Sequence, residues 1–124
     1  MKLDFVNQGD VCVYFPEGKL DHSESFILEN KMTEFINEGA TNIIFDLSKL
    51  DYISSSGIRV FISIIRQLNK KQGRIAFCSP SASVSTIIEM VFLQDELQIF
   101  PTLFEALSAF GAGRIASADR QSAH

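Results

Sequence analysis

The sequence predicts an α/β fold: a mostly parallel central sheet with helices packed on it. Three observations carry this expectation. Apolar β-forming runs alternate with helical stretches from residue 22 onward, and right-handed crossovers through helices make neighbouring strands parallel. The run Asn42-Ile43-Ile44-Phe45-Asp46-Leu47 is near-continuously apolar, as in a central strand covered on both faces. The chain has 124 residues, 46% of them hydrophobic, which suits one domain with one substantial core.

Each element has its own signal. Leu3-Asp4-Phe5-Val6 and Val11-Cys12-Val13-Tyr14-Phe15 read as strands rich in β-formers, joined by the turn Asn7-Gln8-Gly9-Asp10. A loop with Pro16 and Gly18 leads through Lys19 and Leu20 to Asp21, where the first helix is expected to begin. Asp is a favoured N-cap, and Glu24 three residues on completes a capping-box-like pair. Phe26, Ile27, Met32, Phe35 and Ile36 supply the apolar face, and Lys31, Glu34 and Glu38 the polar one. Gly39 provides the stop.

After the central strand, Ser48–Ser55 reads as a loop and a second helix as running from about Ser56 to Gln72, closed by Gly73. Arg59, Ser63, Arg66 and Lys70 form its polar stripe. Ile58, Val60, Phe61, Ile64, Ile65 and Leu68 cover the remaining faces, so wide an apolar surface that the helix must pack deeply. Arg74–Cys78 is the next strand, and Ser79-Pro80-Ser81 turns into a helix bearing Val84, Ile87, Ile88, Val91 and Phe92. Leu97–Phe100 is a short strand, and Pro101 with the capping box of Thr102 and Glu105 opens the last helix. The expected order is ββαβαβαβα. The domain is expected over residues 1–110, with the small and polar stretch 111–124 as a flexible tail.

Composition excludes several classes of function. A net charge of −4 argues against a nucleic-acid binder, which needs a basic footprint, and against a polybasic lipid anchor. No run approaches the ~18 consecutive apolar residues that read as a membrane span. The start Met1-Lys2-Leu3-Asp4 lacks a basic region followed by an apolar stretch, so a soluble cytoplasmic chain is expected. Cys12 and Cys78, each flanked by apolar residues, read as buried free thiols; a disulfide would require their strands to be close.

Chemistry is sparse. The two histidines, His22 and His124, do not make a metal site with the cysteines and carboxylates at any ligand-like spacing. Phosphate-cradling Gly-rich loops and hydrolase Ser motifs are missing from the sequence. His22 reads as a solvated loop residue; as a base for a Ser nucleophile it lacks an orienting partner. One segment stands apart: Asp46-Leu47-Ser48-Lys49-Leu50-Asp51-Tyr52-Ile53-Ser54-Ser55-Ser56-Gly57-Ile58-Arg59. It places three serines where a helix begins after a buried strand, and sites on parallel sheets sit at the carboxyl ends of strands. A helix start tolerates an anion through its free N–H groups and dipole. The plain alternative is that the serines are caps and Gly57 permits close packing.

These residues resemble the STAS domain, and among STAS proteins the bacterial anti-sigma factor antagonists. Gly18-Lys19-Leu20-Asp21, the segment from Asp46 to Arg59, Phe92-Leu93, Leu97–Phe100 and Thr102–Leu107 carry the resemblance, which spans about residues 3–109. It implies that Ser56, the serine before the glycine, is a phosphorylation site, with Ser55 as the alternative acceptor. It implies a non-catalytic regulatory module with no cofactor of its own, ATP being supplied through a partner kinase. That partner would be a GHKL-type anti-sigma factor serine kinase, released on phosphorylation, with a PP2C-type phosphatase resetting the switch. Many members have Asp where this chain has Ser54. Lys19, Asp21, Ser54, Ser55, Gly57 and Arg59 are the candidate partner-binding residues, and Asp46 a strand-end residue that bonds loop N–H groups. Phe104 and Phe110 are candidates for a homodimer contact. The alternative within the family is a structural subunit of a stress-sensing or lipid-transport assembly in which Ser56 is never modified.

Overall fold

The computed structural model describes residues 2–91 and 98–111. In chain order these form β1 (Lys2–Gln8), β2 (Val11–Leu20), α1 (His22–Asn37), β3 (Asn42–Asp46), β4 (Leu50–Ile53), α2 (Ser55–Lys70), β5 (Arg74–Cys78), α3 (Ala82–Val91), β6 (Ile99–Phe100) and α4 (Leu103–Gly111). The run Phe92–Leu97 and the expected tail beyond Gly111 lie outside the described residues. Strands pair in the order β1-β2-β3-β5-β6, with β4 attached to β2. Among the described residues the β1–β2 hairpin is antiparallel and every other pairing is parallel.

Side-chain alternation along the strands fixes which helices lie on which face. Ile43 and Phe45 of β3 and Ile75 and Phe77 of β5 join one core with α1, α2 and α3. Ile44, Ala76 and Cys78 point the other way, into a smaller core closed by Ala106, Ala109 and Phe110 of α4. The large core is aromatic at its centre. Phe45 and Phe77 stack at 5.6 Å between centroids, and Phe61 of α2 meets both, at 5.4 and 5.1 Å.

The structure departs from the sequence reading in several places, each for a physical reason. Leu50–Ile53 is a strand, not part of a loop, because β2 outruns β3. β3 pairs with Cys12–Tyr14, and the free end Gly18–Leu20 pairs with β4. Pro16 lies inside β2 rather than in a loop, in the gap between these two parallel partners. Gly18, at φ +97°, sits where the register shifts.

On α1 the buried face is Ser25, Leu28, Met32 and Ile36. Phe26 lies ~200° around the helix from Leu28 at ~100° per residue, and is 66% exposed. Ile27 is exposed as well. At the end of α2 the left-handed residue is Gln72, at φ 55°, rather than Gly73. Gly73 serves a close approach instead, since a Cβ there would lie 2.6 Å from the Thr41 carbonyl oxygen. Phe110 is buried under the Arg74 guanidinium, 4.8 Å from the ring centre, so of the two candidate dimer residues only Phe104 is exposed. Cys12 and Cys78 are both free, as expected, but only Cys78 is buried; Cys12, on β2, is half-buried.

Truncating the central ring tests this core. Phe45→Ala is expected to cost about 3–5 kcal/mol in urea unfolding, the loss of transfer energy plus a cavity.

Candidate functional site

The site forms where β2 and β4 end together and hand over to α1 and α2. Register pairs Lys19 with Tyr52 and Leu20 with Ile53. The Leu20 carbonyl then accepts two bonds from Ser54: from its N–H at 3.0 Å and from its hydroxyl at 2.9 Å. Ser54 Oγ in turn accepts the Gly57 N–H at 3.2 Å, so Ser54 is the N-cap of α2. The helix therefore starts at Ser55, one residue before the sequence suggested. One residue past Leu20, Asp21 caps α1, its Oδ1 accepting the Glu24 N–H at 3.0 Å. That bond holds the Asp21 carboxyl below the usual carboxylate range, with the Ser23 hydroxyl adding to it.

Gly57 explains why the two helix starts lie so close. It is buried, and a Cβ there would meet Ile53 Cγ1 at 2.8 Å and Leu20 Cδ2 at 2.9 Å. Its lack of a side chain thus serves packing.

The three serines have three different surroundings. Ser54 is committed to the cap. Ser55 is exposed. Ser56 is half-buried, and its Oγ shares a 3.0 Å hydrogen bond with Nδ1 of His22, the first residue of α1. His22 is the residue that sequence reasoning set aside. Its 34-residue separation from Ser56 hides the contact, and only the pairing of β2 with β4 brings them together.

The same separation recurs along the two helices. Ser63 Oγ donates to Glu29 Oε2 at 2.6 Å, and Gln67 Nε2 donates to Thr33 Oγ1 at 3.1 Å, each across 34 residues. A constant offset means that α1 and α2 run side by side in the same direction. Between them lies a groove of about 240 Å³ with His22 and Ser56 at one end and Phe26, Glu29, Arg59 and Arg66 among its walls. Arg59 is exposed, as its place on the polar stripe suggested, and Lys19 and Asp21 are exposed at the junction. Phe26, Glu29 and Arg66 were not singled out for the site. Their signal is weak in sequence, because it consists only of being on the side of each helix that faces the other.

A Ser–His contact is half of a nucleophile arrangement, which needs a third group to orient the base. Among the described residues, His22 has a side-chain hydrogen bond to Ser56 only. Cys78 is a poor nucleophile, because burial, followed by the Asp46 charge, pushes its thiol up to about 12. Asp46 itself accepts the Ser48 N–H at 2.9 Å, the strand-end role expected of it. Among the described residues no cluster of three or more His, Cys, Asp or Glu side chains forms a metal site, and no helix is long and apolar enough to cross a membrane.

The serine cluster opens a helix, as the STAS resemblance implied, but it follows the short strand β4 rather than a loop. The STAS domain profile matches residues 2–106. The chain belongs to the STAS family.

Among relatives of this STAS domain, BtrV of Bordetella bronchiseptica, provisionally named an anti-sigma factor antagonist, is 29% identical over 101 residues, covering 82% of this chain and 84% of that protein. The crystal structure of TM1081 from Thermotoga maritima, also provisionally named an anti-sigma factor antagonist, shares the fold with a TM-score of 0.80 at 23% identity, covering 86% of this chain and 92% of that one. SpoIIAA, a Bacillus cell fate determinant, matches in both of its forms. The unphosphorylated form gives a TM-score of 0.70 at 21% identity, covering 90% of this chain and 99% of that one. The phosphorylated form gives 0.71 at 22% identity, covering 88% and 99%. The protein is thus a STAS domain related to bacterial anti-sigma factor antagonists.

Where many family members have Asp, this STAS domain has Ser54, and the geometry shows what that changes. Asp also caps a helix, but an ionised carboxylate cannot donate to the Leu20 carbonyl. Ser54→Ala is therefore expected to lose about 0.5–2 kcal/mol of stability in urea unfolding, and Ser54→Asp to recover only part of it. The Asp21 cap supplies a pH test. Because its pKa is lowered in the folded protein, its contribution is complete above the ordinary value of ~4 and is lost as pH falls through the lowered one. The advantage of wild type over Asp21→Asn, which caps without titrating, should shrink between pH 5 and pH 2 in thermal unfolding.

Proposed function

We propose that this protein is a partner-switching anti-sigma factor antagonist whose switch is the Ser56 hydroxyl. Unmodified, the surface around the start of α2 docks a GHKL-type anti-sigma factor that is also a serine kinase, and the sigma factor is freed. The kinase holds ATP; Ser56 Oγ bonds to its γ-phosphorus as the bond from that phosphorus to the ADP oxygen breaks, and the hydroxyl proton passes to a base of the kinase. The modified form lets go, and a PP2C-type phosphatase restores it. The protein itself contributes an acceptor and a docking surface rather than catalysis.

The observation that carries this reading is the position of Ser56. Its hydroxyl is half-buried at the end of an open groove, one residue beyond an exposed serine and two beyond a serine consumed by capping. A phosphoryl group there adds about −1.5 to −2 charges and three acceptor oxygens. On the free domain the helix start favours that charge by ~0.3–1 kcal/mol. Against a packed partner the same charge loses its hydration, which costs several kcal/mol. The second effect is larger, so modification weakens binding while the domain keeps its fold. The near-equal match to the unphosphorylated and phosphorylated forms of SpoIIAA shows that this fold is present in both forms of that protein. Lys19, Asp21, Ser55 and Arg59 border the acceptor and are its candidate contacts, and exposed Phe26 adds an apolar anchor.

Isothermal titration of the cognate kinase with unmodified and Ser56-phosphorylated protein decides the matter. Binding at least ~100-fold weaker, or ~2.7 kcal/mol, is expected after modification. Equal affinities would overturn the reading.

A further inference from the structure

The switch reading gives Ser56 a role but leaves His22 without one. The imidazole is not a bystander to the hydroxyl, since Nδ1 lies 3.0 Å from Oγ. Unmodified serine tolerates either role for that nitrogen, because a hydroxyl both donates and accepts. A dianionic phosphoryl group only accepts, so a ring nitrogen bonded to it must carry a proton and donate.

We propose that His22 is a positioning residue for the modified state: when Ser56 carries a phosphoryl group, Nδ1–H donates to one of its oxygens and turns the group into the groove between α1 and α2. The groove has the room. Its 240 Å³ compares with ~30 Å³ for a water molecule in the liquid. The groove also has a favourable balance of charge. Arg59 and Arg66 of α2 line it, and Glu29 of α1, the acidic group among the lining residues, is engaged by the Ser63 hydroxyl. Asp21 lies beside His22 but is turned to its own helix, where it accepts the Glu24 N–H.

Held this way, the phosphoryl group covers the surface beside Phe26 instead of trailing into solvent. The off state is then an obstruction at a fixed place as well as an added charge. Ser55, being exposed, offers no such holder. This inference rests on Ser56 as the modified residue.

The test needs no partner. Phosphoserine is installed at position 56 of the full chain by genetic encoding, and its 31P shift is followed against pH. A donor or cation facing the phosphate favours its dianion. The midpoint in the otherwise wild-type protein is therefore expected at least about half a pH unit lower than in His22→Ala and His22→Asn. Long-range 15N correlation should show Nδ1 protonated in the modified protein. His22→Asn keeps a hydrogen-bonding side chain at the start of α1, so the comparison stands even if His22→Ala loosens that turn. Phosphoserine at position 55 should titrate identically with and without His22.

Coincident midpoints in all three position-56 proteins would overturn the proposal. So would a midpoint that moves with Arg59→Gln and not with His22. Because the readout is the phosphate itself, it can fail while the kinase titration succeeds, and the reverse.

Discussion

The site depends on one carbonyl oxygen. Leu20 ends β2, and its C=O receives both the N–H and the hydroxyl of Ser54, the residue that starts α2. The next residue, Asp21, starts α1. A single peptide junction therefore sets where two helices begin. An ordinary helix cap satisfies donors within its own helix. Ser54 does that for Gly57 and at the same time fastens its helix to a strand 34 residues away. This fastening, with the β2–β4 pairing and the Ser63–Glu29 and Gln67–Thr33 bonds, keeps the two helices in the register that sets His22 against Ser56.

The packing beneath the junction makes the fastening possible. Gly57 leaves no room for a β-carbon between α2 and the Leu20 and Ile53 side chains, which are fully buried or nearly so. The aromatic cluster of Phe45, Phe61 and Phe77 holds the middle of α2 to the sheet. On the opposite face, Ala106, Ala109 and Phe110 of α4 close a smaller core over Val11, Val13, Ile44, Ala76 and Cys78. Bulk is thus concentrated on the face that carries the two helices of the groove.

How much of this could be read from the sequence follows from how local each signal is. The strand expected over Asn42–Leu47, which ends at Asp46, the strand Arg74–Cys78 and the helix caps at Asp21 and Thr102 are written in adjacent residues, and they are found in place. The strand Leu50–Ile53 is not. Two of its four residues are exposed, and it exists because β2 is long enough to offer it an edge. Phe26 misled for a related reason: counting apolar residues places it in the core, but the phase set by Leu28, Met32 and Ile36 turns it outward. The serine cluster was legible as a helix start, yet the division of labour within it was not. Which serine caps, which is exposed and which meets an imidazole depends on where Leu20 and His22 arrive. Those are distant in sequence, and no window short enough to show a motif contains them both.

The constant offset between α1 and α2 has an evolutionary reading. Four contacts, at Leu20, His22, Glu29 and Thr33, share the same spacing to their partners, like marks on two rulers laid edge to edge. One residue inserted within either helix would advance everything beyond it by ~1.5 Å and rotate it by ~100°, putting all later marks out of step. Insertions at the Gly39–Ala40 turn or beside Ser48 and Lys49 would leave both helices in phase. Length variation among descendants of this chain should therefore collect at those two bends, while the helical stretches drift in composition at fixed length.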